Sequence, residues 1–228
     1  MAEQLSFDLP SRTALGREDF FVSPANAMAV AMIEGWQNWP ARKLALVGPS
    51  GAGKTHLTHV WAALSGAQII AARDILRHDI PALATGNVAI EDVPMIAGTP
   101  EAEQALFHLH NLALAEGHSL LFTSHIAPLR WGLKLPDLDS RMQGTQMVVL
   151  ESPDDSLLAA VLMKLFADRQ LSPTPDTLPY LTRRMDRSFD MAHRVVSALD
   201  SAAMAQQKPI NRTLAAQVLD RLDQSPLI

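Results

Sequence analysis

Cysteine is absent from the 228-residue chain, which excludes a disulfide framework and any thiolate zinc site. No uncharged apolar run approaches the roughly 18 residues of a membrane-spanning helix. The N-terminus, Met1-Ala2-Glu3-Gln4, lacks the basic-then-apolar order of a signal peptide, so a reducing cytoplasm is the expected setting. An excess of positive charge is missing too. Nineteen basic against 24 acidic residues leave a formal net charge of −5, which argues against a strong non-specific hold on DNA. What the chain has is apolar content, 48% of residues, enough for a folded core of ordinary domain size with a small appendage.

One stretch organises the rest. Gly48-Pro49-Ser50-Gly51-Ala52-Gly53-Lys54-Thr55 fits the phosphate-loop pattern G-x-x-x-x-G-K-[ST] without mismatch. It follows the apolar run Leu44-Ala45-Leu46-Val47 and opens a helical segment, the strand-loop-helix context the pattern requires. Glycines at 48, 51 and 53 are expected to turn the backbone through positive φ and bring successive N–H groups onto a phosphate. The helix N-terminus favours the same negative charge. Lys54 is then positioned for the β- and γ-phosphates, and the Thr55 hydroxyl for Mg²⁺.

Around the loop, apolar strand candidates alternate with helical periodicity. Ser23 and Pro24 are read as the cap and first residue of a helix running to about Trp36. Strands are expected at 67–71, 87–92, 119–124 and 146–150, with a helix from Arg73 to about Ile80 ahead of Pro81 and another over 101–117. The stretch carrying Leu138 to Met142 reads as loop-rich. After Pro153 only helical periodicity remains, at 154–170, 178–187, 189–206 and 212–222. The expected architecture is therefore α/β, a parallel sheet flanked by helices and followed by a small all-helical lid. Its divisions are an N-terminal segment over 1–17, a nucleotide-binding domain over 18–152 and the lid over 153–228.

The third strand candidate ends in Glu91-Asp92, at the edge where ligands sit in open α/β sheets and where a phosphate-loop protein keeps its magnesium-side carboxylate. His56 and His59 share a helical face, but no third ligand stands at a recognisable interval, so no zinc site is expected. Gln4-Leu5-Ser6-Phe7-Asp8-Leu9 sets three apolar residues on one face of an extended segment.

Gly53-Lys54-Thr55-His56-Leu57 with His59 behind it resembles the DnaA-type replication initiators of the AAA+ superfamily. Glu18-Asp19-Phe20-Phe21-Val22, with Asn26, resembles the segment that holds adenine in that family. Ile90-Glu91-Asp92 is similar to its acidic second motif, Thr123-Ser124 to its polar sensor strand, and Asp139-Ser140-Arg141 to its arginine motif that reaches a neighbouring subunit's nucleotide. A core of this kind that ends without a basic DNA-reading module and begins with the hexapeptide at 4–9 is similar to the Hda proteins.

The resemblance implies ADP or ATP with Mg²⁺ as cofactor, held by Phe20, Phe21, Val22, Asn26, Pro49 to His56, Ser124 and Arg194, with Thr55 and Glu91 on the metal side. It also implies Glu91, Asp92 and Arg141 as the catalytic set. The implied partners are the DNA polymerase sliding clamp, docked through Gln4, Leu5, Phe7 and Leu9, and DnaA, whose ATP hydrolysis Arg141 would promote in trans; self-association is a further implication. Three departures stand out. Glu91 replaces an aspartate and moves its carboxylate about 1.5 Å, so weak intrinsic hydrolysis is expected, because Mg²⁺ demands near-ideal geometry. His125 stands where an aspartate is usual. The lid arginine of the family falls on His193, with Arg194 about 100° further round the helix. An autonomous phosphate-loop NTPase or small kinase, or an adaptor for DnaA or a helicase that does not bind the clamp, remain the alternatives.

Overall fold

The computed structural model describes residues 21–224; Gln4, Leu5, Phe7, Leu9 and Phe20 lie outside the described residues. Five strands form one sheet in the order β2-β3-β4-β1-β5: β1 (Lys43–Val47), β2 (Gln68–Ala71), β3 (Val88–Glu91), β4 (Leu120–Ser124) and β5 (Gln146–Val149). Every pairing is parallel, so each strand returns to the same edge through a crossover. All five residues of β1, and all five of β4 beside it, are buried, as a strand covered on both faces requires.

α1 (Ala27–Glu34) precedes β1, and the crossovers carry α2 (Lys54–Ser65), the single turn α3 (Ile80–Leu83), α4 (Pro100–Ala115) and α5 (Pro136–Gln143). One apolar cluster joins α1 and α2 to the sheet, with Trp39 stacked on Trp61 at 5.2 Å between ring centroids. A second covers the opposite side through α4 and α5 and includes Leu106, Leu109, Phe122, Trp131, Leu138 and Met142. The lid is α6 (Asp155–Asp168), α7 (Thr177–Arg184), α8 (Phe189–Gln206) and α9 (Arg212–Asp223), closed around its own core of Leu158, Leu162, Leu181, Val195, Leu199 and Val218.

Three elements differ from expectation. The first helix begins at Ala27, because the Asn26 side chain accepts from the Ser23 N–H and holds residues 24–26 as a turn. Ahead of β3 the chain forms a 3₁₀ segment, Ala72–Arg77, and Pro81 lies inside the following turn instead of ending a helix, with Asp79 capping the Ala82 N–H. Residues 136–143, read as loop, are helical: Pro136 occupies the first position, Asp137 and Asp139 the first turn, and Leu138 and Met142, one turn apart, are fully buried. Among the described residues no helix is long and apolar enough to cross a membrane.

Candidate functional site

β1 lies between β4 and β5, and its C-terminal end delivers the chain into the phosphate loop at the sheet edge where ligands bind in this topology. Two of the loop glycines take positive φ, Gly51 at 70° and Gly53 at 96°. Gly48 does not, so its glycine has a different cause. A Cβ there would collide with the Leu150 carbonyl oxygen as the chain leaves β5. Gly48 is needed for space, while Gly51 and Gly53 are needed for conformation. The Gly48 N–H donates to the Ser124 carbonyl at 3.1 Å, which ties the loop to β4.

Lys54 opens α2 and folds over the loop, its Nζ donating to the carbonyls of Gly48 at 2.7 Å and Pro49 at 2.8 Å. Burial lowers its pKa below the ordinary lysine value, and the charges of Asp92, Asp190 and Glu91 pull the other way. Those three carboxylates therefore all act on the charge of Lys54, two from the end of β3 and one from the lid. Glu91 is half-buried, with its Oε1 fully buried and unpartnered; Asp92 is exposed in a left-handed backbone conformation, its N–H donating to Thr123 Oγ1 at 3.1 Å. A buried carboxylate oxygen without a donor is the group that a cation completes, and Thr55 is exposed in the first turn of α2. The residues present thus fit a phosphate chain with Mg²⁺.

The lid reaches the loop directly. The Phe189 N–H donates to the Gly51 carbonyl at 2.8 Å, and a Cβ on Gly51 would lie 2.6 Å from Ser188 Cβ. Ser188 caps α8 by accepting from the Met191 N–H at 3.0 Å, so the positive end of that helix stands over the loop. His193, in the second turn of α8, has its pKa lowered by burial first and then by Arg169, with Asp190 opposing and His56 adding. The field on His193 thus comes partly from α2 behind the loop. Arg194, its neighbour, is half-buried on the next face of α8.

The residues expected to face adenine divide. Asn26 is buried and engaged in structure, accepting from Ser23 N–H at 2.8 Å and donating to the Phe21 carbonyl at 2.8 Å; Phe21 and Val22 are 39% and 52% exposed. Pro49 and Ser50 are exposed on the loop while Ala52 is buried beneath it. Ser124 Oγ accepts from the Ile126 N–H and Trp131 Nε1, both at 2.9 Å, and so braces the turn after β4.

Arg141 is elsewhere. Its carbonyl accepts from Nζ of Lys43, the first residue of β1, whereas the phosphate loop follows the last. At about 3.3 Å per residue the strand separates these ends by roughly 15 Å. Arg141 is exposed, its guanidinium 5.7 Å from the Phe107 ring centroid. Sequence patterns did not single out Lys43, Glu103, Ser188, Phe189 or Asp190; only the serine before α8 left a local signal, as a helix cap.

No protein-family model matches the chain. A protein of Haemophilus influenzae described only as uncharacterized is 26% identical over 187 residues, 76% of this chain and 79% of that protein. Domain III of the replication initiation protein DnaA from Thermotoga maritima superposes with a TM-score of 0.79 over 91% of this chain and 96% of that one, at 19% identity. The chain has the fold of that domain. DnaA from Aquifex aeolicus bound to AMPPCP is similar at a TM-score of 0.68 and 16% identity, over 80% of this chain and 64% of that one.

Proposed function

We propose that the chain is a nucleotide-binding regulator of replication initiation, acting in the manner of the Hda proteins that its sequence resembles. It holds ADP or ATP with Mg²⁺ in its own phosphate loop, docks on the sliding clamp through Gln4, Leu5, Phe7 and Leu9, and offers Arg141 to ATP bound on DnaA. The observation that carries this reading is that Arg141 and the phosphate loop stand at opposite ends of one sheet. An arginine so far from its own phosphates has no work to do on them. Facing outward, it can meet a neighbour's γ-phosphate, where such a group contributes about 10³ to 10⁵ in rate. The AAA+ fold and the bound AMPPCP of a structural neighbour support the nucleotide part; the hexapeptide alone supports the clamp.

The test uses the purified full chain, ATP-loaded DnaA and clamp on DNA. Arg141→Ala is expected to abolish stimulated hydrolysis while the variant stays folded and binds ADP as before. Clamp pull-down is expected to fail when Gln4 and Leu5 are changed to alanine, and undiminished capture would remove the clamp from the reading. Rapid ATP turnover by the chain alone, insensitive to Arg141→Ala, would favour an autonomous NTPase.

A further inference from the structure

Among the described residues only two side chains that ordinarily carry a full charge are buried, Glu103 at 1% exposure and Lys43 at 7%. They come from different elements, α4 and β1, and are not paired with each other. One binds the two residues that lead into an eight-residue helix, and the other binds that helix's last turn. Glu103 Oε2 accepts from the N–H groups of Lys134 at 2.8 Å and Leu135 at 2.6 Å, where the chain enters α5, and its Oε1 accepts from the Gly98 N–H at 2.7 Å. At the other end Lys43 Nζ donates to the Arg141 carbonyl at 2.7 Å, which also accepts from Thr145 Oγ1 at 3.0 Å. The Leu135 amide at the N-cap and the last-turn carbonyls are groups a helix cannot satisfy internally, and an anion at the first end and a cation at the second match its dipole.

The same helix carries the exposed arginine. Leu138 and Met142 fix its inner face in the core, while Phe107 lies one turn after Glu103 on α4 and sits under the Arg141 guanidinium. α4 therefore holds α5 at two points, its entrance and its arginine. Apolar residues of similar size would be cheaper to bury than two lone charges. What the charges add is direction, because each bond fixes an end of α5 at a definite height and rotation.

We propose that Glu103 and Lys43 are positioning residues for Arg141, making α5 a rigid mount that presents the guanidinium outward at a set angle to a second protein's phosphate. This rests on the trans role of Arg141 proposed above. If a small misplacement of a group near the reaction costs up to about a hundredfold in rate, loosening either end of α5 must be felt at Arg141.

Glu103→Gln, which keeps shape and one acceptor oxygen, and Lys43→Met are compared with Arg141→Ala, with Val218→Ala in the lid core as a control for lost stability. Two readouts are taken on the full chain: stimulation of hydrolysis by ATP-loaded DnaA, separated into maximal rate and half-saturating concentration, and the Arg141 Nε–Hε NMR resonance, which the Phe107 ring shifts. Both charge variants are expected to lower the maximal rate about tenfold or more at little-changed half-saturation and to move the resonance toward its solvent-exposed position. Val218→Ala is expected to do neither, Lys43→Arg to restore part of the loss, and Glu103→Gln to cause no further loss on an Arg141→Ala background. If Lys43→Met does not fold, the Glu103→Gln arm decides. A folded Glu103→Gln protein with the parent's resonance and maximal rate overturns the proposal, as does a further loss on the Arg141→Ala background. Undiminished stimulation by Arg141→Ala removes the trans role itself, and the resonance then still judges whether the charges hold the mount.

Discussion

Gly51 and Gly66 have nearly the same backbone angle, φ of 70° and 69°, but different surroundings. A Cβ on Gly51 meets Ser188 Cβ at 2.6 Å and its Oγ at 2.9 Å, whereas a Cβ on Gly66 meets nothing within 4 Å. Gly66→Ala should therefore register only left-handed strain, about 1–2 kcal/mol in urea denaturation, with unchanged ADP affinity. Gly51→Ala adds the displacement of α8 and should lose at least about tenfold in ADP affinity, some 1.4 kcal/mol, by calorimetry. Equal nucleotide affinity in the two variants would mean that the contact with Ser188 has no bearing on the loop. His110 supplies a second test at this scale. It is 1% exposed, and its Nε2 lies 3.5 Å from Lys43 Nζ, which has only protons to offer; Nε2 must accept, so Nδ1 carries the proton toward Asn111 Oδ1 at 3.2 Å. Burial lowers its pKa to about 4, Asn111 opposes the shift, and Lys43 and Arg141 add to it. Because the unfolded imidazole titrates near 6.5, the unfolded chain binds more protons between that value and about 4, and stability falls as pH falls through this window. The contribution is of order 3 kcal/mol, present in full above the unfolded value and lost by about pH 4. Denaturation from pH 7.5 to 4.5 should show a shallower decline for His110→Gln than for the parent, and parallel curves would contradict the assignment.

At the scale of elements, the contact between lid and loop depends on how α8 begins. Ser188→Ala removes the hydroxyl that accepts from the Met191 N–H and should cost about 1 kcal/mol in chemical denaturation, Ser188→Gly only a few tenths. A Ser188→Ala protein as stable as the parent would show that the cap is not what holds this end. Elements of this kind were legible in sequence in proportion to how locally they are specified. The phosphate loop declares itself through glycines and a lysine, the buried strands through apolar runs, and α8 through eighteen residues of helical periodicity. α5 was not legible, because only Leu138 and Met142 of its eight residues are core, and its ends are held by Glu103 and Lys43, far from it in sequence. The same reason hides the roles of Asp190 and of Ser124: a field on Lys54 and a brace for Trp131 arise only when distant elements meet. Gly48 was legible as a glycine and misread in cause, since its partner, the Leu150 carbonyl, belongs to another strand's exit.

For the molecule as a whole, the phosphate loop is the place where the sheet and the lid touch the same atoms. The apolar clusters are otherwise separate, with the lid core drawn from residues 158–219 and the two sheet-side clusters from residues 29–150. A nucleotide gripped by the loop amides and by Lys54 would bind the assembled arrangement and not the unfolded chain. Mass action then stabilises the fold by about 2.7 kcal/mol at a hundred times the dissociation constant. At about 2–4 °C per kcal/mol for a chain of this size, Tm should rise by roughly 5–10 °C with ADP and Mg²⁺ at that excess. Because the Phe189 N–H and the Gly51 carbonyl join the lid to the loop, the lid core should melt at the same raised temperature as the sheet. The experiment is differential scanning calorimetry with and without nucleotide, on the parent and on Lys54→Ala. A single transition that moves in the parent and stays fixed in Lys54→Ala is the expected result. Two transitions, of which only one responds to ADP, would mean that the lid reports nothing about what the loop holds, and that α8 touches the loop without being coupled to it.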